Sequence, residues 1–215
     1  MIRLTKGQEP QELAENGEAW REEYARLLSG DAGVPDAARY RYKAEAIKDA
    51  LRVETRDKCA YCESRVLHVS PEHIEHILPK RHRPDLVVTW TNLTLACPQC
   101  NIAKSDYFNP AEPLLNPYLD DPAEHLLFVG GLVLQRPASD LGIRSIEIVQ
   151  LSRPGLVERR QERVRLLHPL VDVWARVPAG PTKEALARQL AREAAPDAEY
   201  AAAVRSYLLQ LAVPR

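Results

Sequence analysis

The chain has 215 residues, 45% of them apolar, with four cysteines, six histidines and a formal charge of −1. That length fits one domain, or a small core carrying a helical lobe, and the near-neutral balance excludes a protein that coats nucleic acid through bulk charge alone. The opening residues are polar and no apolar run approaches the ~18 residues of a membrane span, so the expectation is a cytoplasmic chain without signal peptide or anchor.

Residues 1–56 read as an N-terminal helical segment. Arg3 and Lys6 precede a helical stretch from Pro10 to Leu28, which Gly30, Gly33 and Pro35 end. Asp36 offers an N-cap for a second helix over 36–56, whose Tyr40, Ala44, Ile47 and Leu51 recur at helical spacing. Six basic and three acidic residues between Arg39 and Arg56 read as its solvated face.

Residues 57–107 hold the chemistry-bearing side chains. Cys59 and Cys62 form one CxxC pair and Cys97 and Cys100 another, with 34 residues between the pairs. No cysteine is left over, and in a reducing compartment this pattern reads as four thiolate ligands of a structural Zn²⁺ rather than a disulfide framework. Four thiolates leave no open coordination position, so that ion braces the fold and takes no part in catalysis. Between the pairs, His73 to Leu78 reads as a short strand and Leu93 to Ala96 as its partner. Pro98 to Asp106 reads as a helix, with proline in its first turn. Strand, loop, strand and helix make a ββα unit.

Hydrolysis of a phosphodiester needs a base for water and a cation near the leaving oxygen. Glu75 and His76 are adjacent and therefore start on opposite sides of a strand, although a twist at the strand end would let both approach one phosphate. Glu75 and Asn101 offer two oxygens to a catalytic Mg²⁺ (or Mn²⁺) that keeps water in its remaining positions. His76 is then the general base, since an imidazole suits that work near neutral pH.

These residues resemble the HNH, or ββα-metal, nucleases: Glu75-His76 with Pro79, then Asn92, then Asn101 after the second CxxC. The resemblance implies that His76 is the base, that Glu75 and Asn101 hold the metal, and that Asn92 fixes the loop by bonding backbone and orienting the histidine. Lys104, one turn after Asn101, is expected to contact a phosphate. Many relatives carry Asp where Glu75 stands. His73 shares the Glu75 face and reads as a third metal ligand, an outer partner of the ligands, or a filler. Lys80, Arg81 and Arg83 read as contacts to backbone phosphates.

Residues 108–215 begin with a proline-rich linker (Pro110, Pro113, Pro117, Pro122), in a run from Tyr107 to Phe128 with four acidic and no basic residues. Leu126–Val129 and Leu132–Leu134 flank Gly130-Gly131 and predict a hairpin. Val164, Leu167, Val171 and Trp174 share a helical face that Pro169 must kink or restart. Thr182 to Ala194 and Asp197 to Ala212 complete the helices, with Tyr200, Val204, Tyr207 and Leu211 along one side. The expectation is an α+β fold: a mostly α-helical chain around a central zinc-stapled ββα core, with a small β-hairpin.

A wider resemblance runs through the opening Met1-Ile2-Arg3-Leu4-Thr5-Lys6 and the stretches 116–122, 142–147 and 151–160. It is to a bacterial group of HNH proteins that includes the nuclease subunits of Septu-type antiphage systems and retron effectors. It implies a defence nuclease working beside an ABC or SMC-like ATPase (PtuA-like). Residues 56–106 carry seven basic and six acidic groups, before counting a tetrathiolate zinc of charge −2. Such a core binds DNA weakly alone, so a partner would supply recruitment, through the basic segment 153–165 or the C-terminal helices. Three functions stay open at this point. The first is a metal-dependent endonuclease on duplex DNA, favoured because no aromatic platform for single-stranded bases is visible. The others are an RNA (tRNA) nuclease of the same fold, or a zinc-stapled adaptor without chemistry.

Overall fold

The computed structural model describes residues 1–65 and 73–213. The chain is mostly helical, with two separate two-stranded antiparallel sheets among the described residues. Helix α1 spans Gln11–Leu28. The single helix expected over 36–56 is instead a 3₁₀ helix, Asp36–Lys43, followed by α2, Glu45–Thr55. The break falls at Ala44, whose ψ of 142° is extended. Packing explains it. The tighter turn buries Tyr42 and leaves Tyr40 exposed, while α2 buries Ile47 and Leu51. One continuous helix could not aim Tyr42 and Leu51 at the same core.

Strand β1 is His73–His76 and pairs antiparallel with β2, Leu93–Ala96, setting Glu75 opposite Thr94 and His76 opposite Leu93. Helix α3, Pro98–Lys104, follows at once, capped by the Cys97 sulfur accepting from the Cys100 N–H. Ile74, Leu93 and Leu95 join Ile47, Leu51, Tyr42, Val87 and Trp90 in one buried cluster, so α1 and α2 cover one face of this hairpin.

A short helix α4, Pro122–His125, leads into β3, Leu126–Val129, and β4, Leu132–Gln135, the hairpin foreseen around Gly130-Gly131. Helices α5 (Asp140–Ile148), α6 (Pro154–Arg165), α7 (His168–Arg176), α8 (Pro181–Glu193) and α9 (Ala201–Gln210) complete the described chain. Pro169 lies in the first turn of α7, where its missing N–H is harmless, so it restarts the helix. The last helix begins at Ala201, later than expected, because Tyr200 adopts a left-handed φ of 54°. A second cluster unites the four cysteines with Phe128, Val133, Leu151, Leu156 and Tyr200. The boundaries drawn at 56 and 107 are therefore crossed by shared packing. No helix among the described residues is long and apolar enough to cross a membrane.

Candidate metal-dependent active site

The two knuckles bring all four Sγ atoms within 4.8 Å of one another. Cys62 and Cys97 sulfurs stand 3.8 Å apart, and a tetrahedron with zinc–sulfur bonds of ~2.3 Å has edges of about 3.8 Å. Burial pushes the Cys59 thiol well up, whereas hydrogen bonds from Cys100, Cys59 and Cys97 hold Cys62 well down. The thiols therefore do not all ionise easily side by side, and a divalent cation supplies the missing compensation. The donor set, spacing and burial fit structural zinc.

That cluster anchors the first turn of α3 beside β1. The strand's side chains alternate, and the two faces have different surroundings. On the α2 face, the His76 ring is buried and packs edge-on against Tyr42, with ring centroids 4.6 Å apart. Its Nε2 lies 2.8 Å from the Val87 carbonyl oxygen. A carbonyl only accepts, so Nε2 carries the proton and Nδ1 keeps its lone pair. Burial lowers the imidazole pKa to about 4, opposed by the Val87 bond and assisted by Lys80 and Lys104. His76 is thus neutral around neutral pH.

Asn92 closes the loop between the strands. Its Oδ1 accepts from the Leu78 N–H at 2.8 Å, and its Nδ2 donates to the Leu78 and Leu86 carbonyls at 3.0 and 3.3 Å. Leu86 immediately precedes Val87, so the amide holds the segment whose carbonyl receives His76.

On the α3 face, the arrangement differs from expectation. Glu75 and Asn101 were expected as paired donors to one ion, yet each has another partner. Glu75 Oε1 lies 2.6 Å from the Lys104 ammonium and 3.5 Å from the Tyr61 hydroxyl. Asn101 Nδ2 lies 2.9 Å from His73 Nδ1. His73 and Glu75 are two residues apart on one face, a separation of about 7 Å, so these pairs are neighbours. Among the described residues, the cysteines are the group of three or more His, Cys, Asp or Glu close enough to hold one metal. The Lys104 and Tyr61 contacts of Glu75 fall on Oε1, the His76 backbone N–H also bonds the carboxylate, and the Asn101 contact is made by Nδ2. A carboxylate oxygen, an amide oxygen and a nearby imidazole suit a hard divalent ion that keeps several waters. Burial pushes the Glu75 carboxyl up and Lys104 pulls it back down.

Lys104 also departs from expectation. It is not poised for a phosphate: the side chain is 3% exposed and its ammonium donates to the His76 carbonyl at 2.9 Å as well as to Glu75. The cause is helical geometry. Lys104 follows Asn101 by three residues and shares its face, which α3 turns inward onto β1. In the loop, Lys80 bonds the Tyr42 hydroxyl at 3.1 Å and sits over that ring, Arg81 pairs with Asp106 at 2.8 Å, and Arg83 pairs with Asp85 at 2.6 Å. Arg81 and Arg83 are solvent-facing but already neutralised by acids.

Sequence reasoning missed three side chains that shape this site. Tyr61 lies inside the first CxxC, where a buried hydroxyl aimed at Glu75 leaves no local pattern. Tyr42 sits in the stretch misread as continuous helix. Arg153 donates to the Cys100 and Cys97 sulfurs at 3.5 and 3.8 Å from 53 and 56 residues away. A cleft of about 630 Å³ opens beside the site, lined by Tyr61, Asn92 and Lys104 on one side and Tyr107, Phe108 and Leu119 on the other.

Residues 59–107 match the family model of the HNH endonucleases. The chain is 35% identical over 150 residues to the Septu protein PtuB of Bacillus mycoides (strain KBAB4), covering 55% of this chain and 51% of that one. It is 30% identical over 184 residues to the Septu protein PtuB of Bacillus thuringiensis, covering 75% and 68%. The HNH protein of retron Vc95 from Vibrio cholerae is 24% identical over 186 residues, covering 79% and 86%. The chain thus spans about half the length of the first of these relatives.

Proposed function

Because this chain belongs to the PtuB family of HNH endonucleases, we propose that it hydrolyses DNA phosphodiester bonds with the help of a divalent ion. We infer further that it is the nuclease effector of a bacterial antiphage defence system, working in the cytoplasm beside an ABC or SMC-like ATPase. The relatives bear Septu and retron names, which support the defence setting.

The observation that carries the chemistry is the end of β1. It presents a neutral imidazole on one face and a carboxylate on the other. In-line displacement at phosphorus needs a base on one side of the phosphate and positive charge on the side from which the leaving oxygen departs. A phosphate laid across the strand end would meet both. His76 Nδ1 takes the proton from the attacking water. Its Nε2–H, held by the Val87 carbonyl, keeps the ring aimed and stabilises the imidazolium that forms. Asn92 keeps that carbonyl in place. The Glu75 carboxylate and the Asn101 amide oxygen would hold Mg²⁺ or Mn²⁺, with His73 as a further ligand or the partner that orients Asn101. When bound, such an ion offsets charge on the phosphorane-like transition state and the leaving 3′ oxygen. Lys104 and Tyr61 hold Glu75 Oε1 and so set the carboxylate's angle.

Purified protein incubated with supercoiled plasmid and a short structured RNA, with Mg²⁺ or Mn²⁺ and with chelator, tests this reading. Metal-dependent nicking of the plasmid is expected. Cleavage of RNA alone would move the substrate to RNA. Inertness on both, with and without a co-expressed neighbouring ATPase, would leave a zinc-stapled adaptor and end the enzymatic reading.

A further inference from the structure

Helix α6 carries two arginines that the proposed chemistry does not use. Arg153 stands at its N-terminus and Arg160 seven residues on, on the face that also buries Leu156 and Val164. Arg153 spreads its guanidinium over the second knuckle. Nη1 donates to Cys100 Sγ at 3.5 Å, Nη2 to Cys97 Sγ at 3.8 Å, and Nε to the Gln99 side chain at 3.0 Å. Arg160 is 1% exposed, which is rare for an arginine. It donates Nη1 to the Leu151 carbonyl at 2.7 Å and lies over the Phe128 ring. Its Nη2 is buried and finds no hydrogen-bond partner among the described residues.

A guanidinium cannot shed its proton inside a protein. Its burial is tolerable only opposite negative charge. Burial works against the Arg160 charge, while Cys62, Glu63 and Tyr200 favour it and Arg153 opposes it. Glu63 is already engaged: the Met1 amino group lies 2.7 Å from it and Lys58 3.6 Å. That leaves the sulfur cluster. Four neutral thiols would leave the Arg153 guanidinium facing uncharged sulfur and Arg160 with less compensation, whereas four thiolates around one divalent ion carry −2, which two guanidiniums balance.

We propose that Arg153 and Arg160 are outer partners of the zinc tetrathiolate, so that metal occupancy is a condition for seating α6, and with it the C-terminal helices, on the nuclease core. Arg153 acts by direct N–H···S bonds and Arg160 by charge. The zinc is thereby more than a brace inside the ββα unit. Its dianion is the electrostatic seat of a helix from another part of the chain. A reagent that strips the metal or oxidises the thiolates would remove the seat and loosen α6.

The test uses the full chain with cobalt(II) in place of zinc, because sulfur-to-cobalt charge-transfer bands report electron density on the thiolates. Arg153→Met should move those bands to lower energy, since two N–H···S bonds are lost, and Arg153→Lys should restore the charge without the fork. In the zinc form, Arg153→Met should release metal to a chromogenic chelator about tenfold faster, the factor that 1.4 kcal/mol represents. Arg160→Met should accelerate amide exchange in 154–165 more than in 93–96. If Arg160→Met proves insoluble, the Arg153 pair decides alone. Unchanged bands and release rate in Arg153→Met would overturn the proposal, as would a metal-free wild-type protein with four titratable thiols. None of these readouts depends on cleavage, so the nuclease reading stands or falls separately.

Discussion

His76 concentrates the site's physics in one ring. Its buried position makes the neutral form the native one, which has a cost in acid. The folded pKa of about 4 lies below the ordinary 6.5. The stability linked to this group is therefore fully present above pH 6.5 and drains away as pH falls toward 4. About two and a half units correspond to roughly 3 kcal/mol at most. Urea midpoints at pH 7.5 and 4.5 should differ more for wild type than for His76→Gln, and equal differences would remove the linkage. His76→Ala should abolish plasmid cleavage while metal analysis still finds one zinc per chain. A mutant cutting at the wild-type rate takes the imidazole out of the mechanism. Asn92 is a different kind of residue, bonding only backbone. Asn92→Ala strands a buried N–H and two carbonyls and should cost about 2 kcal/mol in chemical denaturation, with activity falling because Val87 drifts. The clustering of the four cysteines was legible from residue type and spacing, and the resemblance to HNH nucleases pointed to the backbone bonds of Asn92. The partners of Lys104 and Arg153 were not legible, because each is chosen by a contact between elements distant in the chain.

At the scale of elements, two short units depend on what is packed against them. Helix α3 has only seven residues, too few to be stable alone. Its first turn is tied to the knuckles and its last residue to β1. Cys97→Ser should lose the metal and with it a large part of the folding energy, on the order of 10 kcal/mol for structural zinc. Aggregation or a collapsed melting transition is the expected readout, and normal melting without zinc would refute the brace. The second hairpin leans on α6 through Gly131, where an added Cβ would collide with the Val157 backbone carbonyl. Gly131→Ala should destabilise the protein by about 2 kcal/mol, seen as a lower melting temperature, whereas Gly155→Ala, with open space around it, should not. Local pattern was a good guide where an element's own sequence decides it. Glycine and proline end α1, Gly130-Gly131 turns the hairpin, and Pro169 restarts a helix. It failed where tertiary packing decides. The break at Ala44 serves Tyr42, and the left-handed Tyr200 delays α9.

For the whole molecule, charge limits what the protein does unaided. The basic segment 153–165, which the sequence offers alongside the C-terminal helices as a docking surface, is largely engaged by other parts of the chain. Arg153 faces the sulfurs, Arg160 is buried, and Arg163 pairs with Glu193 at 2.6 Å. Little free positive charge remains there for DNA or for an acidic partner, so cleavage by the isolated chain should be weak, and with few phosphates neutralised its salt dependence should be shallow. Raising the salt from about 50 to 200 mM should lower it by only about tenfold or less, and a co-purified ATPase should strengthen it. A loss of about a thousandfold over that range would reveal many phosphate contacts and refute this. The last residue of α3 has one more consequence. The Cys100 end of the cysteine cluster and the Glu75 clamp sit at opposite ends of a rod with no slack, so the spacing from residue 100 to residue 104 works as a fixed gauge. Adding or removing one residue there would swing the lysine by about 100° and disengage it from the strand. The same edit in the proline-rich stretch after residue 109 would merely lengthen a connection. Scanning single-codon insertions across the gene should therefore show intolerance through 93–104 that gives way to tolerance at 110–113.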